Sequence, residues 1–203
     1  MSISLIDYGA GNIASLINIY DYLGIDVDVI GTPDEVLAAK KLILPGVGAF
    51  DSAMRGLSER HLVDSIKEAV SSTRTPILGV CLGMQLLGLS SAEGDLPGLG
   101  LIQARSVSLK TLRSNIKVPN MGWSHVHPCV GRTLFESNDD YYRFYFAHSY
   151  FVDCLNEKDI AATIALNNNI CVAIERGNIF GVQFHPEKSH SSGLSLLKRF
   201  AEI

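Results

Sequence analysis

Residues 79–83 read GVCLG and follow the apolar run TPIL, so a cysteine sits between two glycines where a strand stops and a helix begins. This is the G-x-nucleophile-x-G shape of a strand-to-helix elbow, in which flanking glycines relieve crowding around a sharply turned residue. Such a turn presents its side chain at the carboxyl end of a sheet, and a thiol there faces the positive end of a helix, which favours thiolate, the reactive form. Cys81 is therefore a candidate nucleophile, set against the common role of a lone cysteine as a buried core residue.

The stretch GVQFHPEKS places His185 and Glu187 two positions apart around Pro186. In an extended segment both side chains project from one face, and the proline stiffens the backbone between them. A carboxylate held against one imidazole nitrogen fixes the tautomer and leaves the other nitrogen free to exchange a proton with a nucleophile. LPGVGAF at 44–50 is a strand end followed by glycines, a loop that either binds an oxyanion with its backbone N–H groups or makes an ordinary turn. GAGNIA at 9–14 resembles a G-x-G-x-x-A phosphate fingerprint, but Asp26 and Asp28 precede the point where a ribose-binding acid belongs. A nucleotide-dependent oxidoreductase built on that loop is thus one rival reading, and a non-catalytic scaffold is another.

NMGWSHVHP and YYRFYFAHSYF bring Met121, Trp123, Tyr141, Tyr142, Phe144, Tyr145, Phe146 and Tyr150 into two short segments. Strand alternation buries half of such a set, Phe144 and Phe146 among them. The remainder suits a docking surface, where Tyr, Trp and Met are enriched.

The elements that must position these groups follow from patterning. The chain has 203 residues, 47% of them hydrophobic, enough for one core. A net charge of −4 without a basic block offers nucleic acid or an anionic membrane surface no electrostatic handle. Neither a basic, apolar leader nor an apolar run of roughly 18 residues is present, which points to a cytoplasmic protein. Cys81, Cys129, Cys154 and Cys171 form no C-x-x-C pair and read as four separate thiols, with no metal or other cofactor called for.

Through the first half, β-branched runs (ISLIDY, VDVIG, KLILPGVG, TPILGV) alternate with helical patterns, the signature of βαβ units and a parallel sheet. Gly24 closes the first helix, Thr32 and Pro33 open the second, residues 50–72 form one helix or two around His61, and CLGMQLLGL forms another. After EGDLPGLG, short runs (ARSVSL, IKVPNMGW, FYFAHSYFV, AATIAL, ICVAIERG, IFGVQF) read as antiparallel strands, with NNN at 167–169 as a hairpin turn. A helix from about Ser191 to Ala201 ends the chain. The expected fold is α/β, a mostly parallel central sheet flanked by helices with a smaller antiparallel β extension.

Taken in order, PGVGAF, GVCLGMQLL, PGLGLI, NMGW, HSY and GVQFHPEKS resemble the motif set of class I (triad-type) glutamine amidotransferases, most of all the glutaminase subunits of imidazole glycerol phosphate synthases. The resemblance covers residues 1–203 as a single amidotransferase domain of flavodoxin-like fold. It implies Cys81 as nucleophile, His185 as proton carrier and Glu187 as orienting carboxylate. The Leu82 N–H and a flipped peptide at Val47–Gly48 would bind the oxyanion, with Gln85, Ser149 and Tyr150 around the head of L-glutamine. Asn12, Met121, Trp123, Tyr145 and Lys188 are implied as the interface to a synthase subunit.

The implied activity is hydrolysis of glutamine to glutamate and ammonia, the ammonia passing to a cyclase that forms imidazole glycerol phosphate and AICAR in histidine biosynthesis. A (β/α)₈ synthase of about 250 residues does not fit beside these motifs, so the acceptor chemistry is expected on a second polypeptide, in a heterodimer. His190 departs from the pattern usual in the histidine-pathway subunits, and the aromatic stretch is dense. These features keep open a paralogous subunit serving a surface-polysaccharide synthase.

Overall fold

Strands β1 (Ser2–Ile6), β3 (Leu42–Gly46) and β4 (Ile77–Cys81) are short apolar runs whose alternate residues serve two different cores. Ile3, Leu5, Ile43, Leu78 and Val80 face one cluster, whereas Ile6, Leu42, Leu44 and Ile77 face the other. Strands buried on both faces belong in a parallel sheet covered by helices on each side. The computed structural model describes residues 2–112, 116–135, 142–166 and 168–203. Tyr141 and Asn167 lie outside the described residues; of the turn expected at 167–169, Asn168 and Asn169 instead open the strand Asn168–Arg176, paired antiparallel with Leu166 and Ala165.

The helices on the first side are α1 (Ile13–Tyr22) and α6 (His190–Glu202), which contribute Leu16, Tyr20, Leu196, Leu197 and Phe200. On the second side α3 (Phe50–Glu59), α4 (Leu62–Ser71) and α5 (Leu82–Leu86) contribute Phe50, Leu57, Ile66 and Leu86. Strand β2 (Asp26–Ile30) lies at the sheet edge, followed by α2 (Pro33–Ala38). As the sequence predicts, α2 starts at Pro33 behind Thr32, and the Glu35 carboxylate accepts hydrogen bonds from the N–H and hydroxyl of Thr32 at 3.0 and 2.8 Å. The 50–72 region divides at His61, whose φ of 57° separates α3 from α4.

The second half supplies β5 (Ser90–Ser91), β6 (Ala104–Ser108), β7 (Asn120–Pro128), β8 (Tyr142–His148), β9 (Tyr150–Cys154), β10 (Ile160–Leu166), β11 (Asn168–Arg176) and β12 (Ile179–Val182). Among the described residues, nine strands form one sheet in the order β2-β1-β3-β4-β12-β11-β10-β7-β8. Pairing is parallel from β2 to β12 and antiparallel from β12 to β8. The antiparallel strands therefore continue the parallel sheet. A separate small sheet, β5-β6-β9, packs beside it.

Three boundaries differ from the sequence reading. The run FYFAHSYFV is two strands, because the chain breaks at Ser149 and β9 leaves the large sheet to pair with β6. Strand β7 continues past Trp123 to Pro128, sustained by pairing of Asn120–Val126 with β8. Helix α5 stops at Leu86, after which Leu89 N–H bonds the Ala104 carbonyl at 2.8 Å and draws the chain toward β6. Cys81, Cys129, Cys154 and Cys171 are free thiols, as expected, and strands β9 and β11 bring the sulfurs of Cys154 and Cys171 to 3.9 Å.

Candidate active site

The register of the parallel strands assembles the site. Gly46 on β3 pairs with Cys81 on β4, and Val80 on β4 pairs with Val182 on β12. The PGVG loop, the cysteine and the segment leading to His185 thus leave the sheet side by side at its carboxyl edge, where open α/β sheets bind ligands.

At the elbow Cys81 has φ 55° and ψ −111°, a backbone conformation that side-chain-bearing residues rarely hold without support. The support comes from close packing of α5 on the sheet. A Cβ on Gly83 would lie 1.8 Å from the Leu44 carbonyl oxygen, and one on Gly79 would lie 2.7 Å from the Gly83 backbone. Glycine is required at both positions.

Two hydrogen bonds to its backbone, and a third that ties their partners together, fix His185. Its N–H donates to the Tyr145 carbonyl at 2.9 Å, its carbonyl accepts from the Ser189 hydroxyl at 2.5 Å, and that hydroxyl accepts from the Tyr145 N–H at 3.0 Å. The ring Nδ1 lies 2.8 Å from Glu187 Oε1. The sequence predicts this pair from an extended segment, but Pro186–Lys188 is a 3-10 turn, so it is the turn that folds Glu187 back onto the imidazole.

Burial pushes the His185 pKa down, yet its hydrogen bonds to Cys81 and Glu187 and their negative charges prevail and raise it from 6.5 to about 9. At neutral pH the imidazole carries a proton between the sulfur and the carboxylate. That arrangement can protonate a leaving group once the sulfur attacks an electrophilic carbon.

Cys81 and His185 share the wall of a cavity of about 340 Å³ with Val47, Gly48, Leu82 and Gln85. Ser149, Tyr150 and Lys188 also line it. Every residue singled out for the triad, the oxyanion or the glutamine head is thus placed in or directly behind one cavity, since Glu187 stands behind His185. Asn12, Met121, Trp123 and Tyr145 do not line it. Asn12 precedes α1, in the loop where Gly11 packs on Pro45. Met121 and Trp123 are 64% and 37% exposed, large apolar groups left in solvent on β7. Trp123 makes an edge contact with Tyr145 and stacks on His190 at 5.2 Å, while Lys188 Nζ lies 5.9 Å over the Tyr145 ring. Met121 pairs with Ala147, which lines the cavity, so this exposed face adjoins the site.

Three residues escaped the sequence reading. Gln183, fully buried, accepts from Gln85 Nε2 at 3.0 Å and donates to the Cys81 sulfur at 3.8 Å. A glutamine inside the otherwise apolar IFGVQF is the signal that could have marked it, since a buried amide must find partners. Glu93 reaches the cavity from the loop after β5 and accepts from the Phe50 N–H at 2.9 Å. His148 lines the cavity and is held from both sides: Nδ1–H donates to the Tyr150 carbonyl at 2.8 Å, and Nε2 accepts from the Asn120 amide at 2.9 Å. Burial, partly offset by the Tyr150 bond and reinforced by nearby His185, lowers the His148 pKa to about 4.

The fold is that of known amidotransferases. A crystal structure of a glutamine amidotransferase superposes with a TM-score of 0.77 at 17% identity, covering 98% of this chain and 97% of that one. The PurLQS structure from Thermotoga maritima gives 0.76 at 16% identity, covering 99% and 97%. Residues 4–203 match the family described as Glutamine amidotransferase class-I, and the chain belongs to that family. Within it, the chain is 45% identical to imidazole glycerol phosphate synthase subunit HisH 2 of Methanococcus maripaludis, over 98% of each chain. It is 44% identical to subunit HisH of Bdellovibrio bacteriovorus, over 99% of this chain and 100% of that one. It is also 44% identical to subunit HisH 2 of Pseudomonas aeruginosa, over 99% of each.

Proposed function

We propose that this chain is the glutaminase subunit of an imidazole glycerol phosphate synthase, hydrolysing L-glutamine and passing ammonia to a separate synthase subunit in histidine biosynthesis. The observation that carries the reading is Cys81 and His185 on the wall of one cavity that suits a free amino acid, with Glu187 bonded to His185 Nδ1 at 2.8 Å from behind. Full-length similarity to HisH subunits supports the pathway. We read residues 1–203 as one amidotransferase domain.

In this scheme the Cys81 sulfur attacks the carboxamide carbon, and the C=O electron pair moves onto oxygen. The Leu82 N–H and the Val47–Gly48 peptide stabilise that oxyanion; one such donor is worth about 2.7–4 kcal/mol. Collapse of the intermediate breaks the C–N bond as His185 gives its proton to the departing nitrogen. Water, deprotonated by His185, then attacks the glutamyl thioester; the C–S bond breaks, releasing glutamate and leaving the Cys81 thiolate beside the reprotonated imidazole. Gln85, Ser149 and Tyr150 orient the amino-acid head. Glu93, a carboxylate on the same wall, suits its ammonium group.

Ammonia is nucleophilic only when unprotonated, so its path to the acceptor must be closed to bulk water. The exposed face of Met121, Trp123, Tyr145 and Lys188, together with the loop at Asn12, is the proposed seal against a (β/α)₈ partner. The test is Cys81→Ala mixed with that partner and supplied with glutamine or ammonium salt. Product from ammonium but none from glutamine is expected. Retained glutamine turnover would remove Cys81 from its role, and a wild-type complex that releases no glutamate would overturn the function itself.

A further inference from the structure

We propose that Tyr8 is a positioning residue for the oxyanion loop, its hydroxyl clamping the stem of residues 45–48 so that the peptide at Val47–Gly48 meets the substrate oxygen. The inference rests on the glutaminase reading above. Tyr8, only 3% exposed, lies in the loop between β1 and α1 and donates to the Pro45 carbonyl at 2.6 Å.

The surroundings show what that bond holds. A Cβ on Gly46 would lie 3.0 Å from the Tyr8 oxygen, 2.8 Å from Leu82 Cβ and 2.7 Å from the Gly83 nitrogen. The Pro45–Gly46 peptide is therefore wedged between Tyr8 and the elbow that carries Cys81. From the other side, a Cβ on Gly11 would lie 3.0 Å from the Pro45 ring.

Beyond Gly46 the restraint ends abruptly. Val47 is 46% exposed, and Gly48, at φ +101°, has open space where a Cβ would stand. The loop thus has a held stem and a free tip, and Tyr8 supplies the polar anchor at the boundary. Burial first and the adjacent Cys81 second push the phenol pKa above its ordinary value, so the group stays protonated and remains a donor. The GAGN loop acquires a use by this route: it follows directly on Tyr8, and its Gly11 packs against Pro45, so that the two together brace the stem.

Tyr8→Phe removes the hydroxyl and leaves the ring. A fully lost oxyanion donor lowers kcat on the order of 100- to 1,000-fold, so a loosened one is expected to cost about tenfold. In the complex of Tyr8→Phe with its synthase partner, we expect that drop in glutamine kcat with KM within about twofold. Ammonium-dependent turnover and alkylation of Cys81 by neutral iodoacetamide should be unchanged, since neither uses the oxyanion. Replacing Tyr8 by p-aminophenylalanine, which keeps a donor, should restore most of kcat. Wild-type kcat in Tyr8→Phe would overturn the proposal, as would parallel loss of kcat, substrate affinity and Cys81 alkylation, which marks general collapse of the elbow. Failure of the glutaminase reading would appear separately, as a wild-type complex that releases no glutamate.

Discussion

His185 and Glu187 meet across a single proline, Nδ1 to Oε1 at 2.8 Å, inside one 3-10 turn. The proposed orienting group is therefore built into the same local turn as the proposed proton carrier, and only the sulfur of the proposed triad has to arrive from elsewhere in the chain.

That pairing has a pH signature. With its pKa raised to about 9, His185 holds its proton through neutral pH, and the proton is lost as pH rises through that value. Glu187→Gln removes one raising influence, so the alkaline limb of glutamine kcat should move to lower pH, and the imidazole NMR titration should move with it. An alkaline limb identical in variant and wild type would show that Glu187 does not set this proton.

His148 should act on stability in the opposite sense. Its folded pKa of about 4 lies below the ordinary 6.5, so between these values the unfolded chain binds more protons and stability falls as pH falls. Replacing it with Phe strands the Asn120 amide and the Tyr150 carbonyl, at about 1–3 kcal/mol near pH 7, but abolishes this contribution to acid sensitivity. Urea midpoints of the variant should thus drop less steeply from pH 6.5 to 4 than those of the wild type. Equal slopes would rule out a neutral, clamped His148.

Gly83→Ala should be among the most damaging single methyl additions in the chain. The new carbon would overlap the Leu44 carbonyl oxygen, and backbone rather than a flexible side chain must give way. Overpacking of this kind costs about 1–3 kcal/mol or more. A lowered melting temperature, together with slower Cys81 alkylation, is the expected result. A variant with wild-type stability would mean that α5 is not packed against β3 this closely.

Trp123 tests the docking face. It stacks on His190 and has Arg143 5.6 Å from its ring, leaving an aromatic and cationic surface with Lys188 alongside. Trp123→Ala is expected to weaken partner binding roughly 30-fold, a loss of about 2 kcal/mol typical of a central aromatic anchor. Biolayer interferometry against the synthase subunit measures this, with alkylation of Cys81 unchanged as the control. Undiminished affinity would move the interface elsewhere.

Much of the fold was legible because its signals are local. Alternation of apolar strands with helices, the Thr32 cap and the break at His61 all depend on near neighbours in sequence. The elbow glycines were legible for the same reason, since a turned Cys81 needs room on both sides. What stayed hidden was decided across the chain. Nothing inside FYFAHSYFV marks Ser149 as the point where one strand leaves for another sheet; pairing of β9 with β6 does that. Gln183 and Glu93 become site residues only when β12 and the loop after β5 pack around Cys81, and the clamp on His148 requires β7 beside β8.

The register of β12 against β4 has one more consequence. Gln183 touches a sulfur 102 positions earlier, and that neighbourhood exists only once a strand from the last quarter of the chain has slotted in beside the one bearing the cysteine. Bringing such distant partners together is a slow kind of step in folding. Recovery of enzyme activity after dilution from denaturant should therefore lag behind recovery of helical signal, and glutamate release becomes a clock for the closing of the sheet.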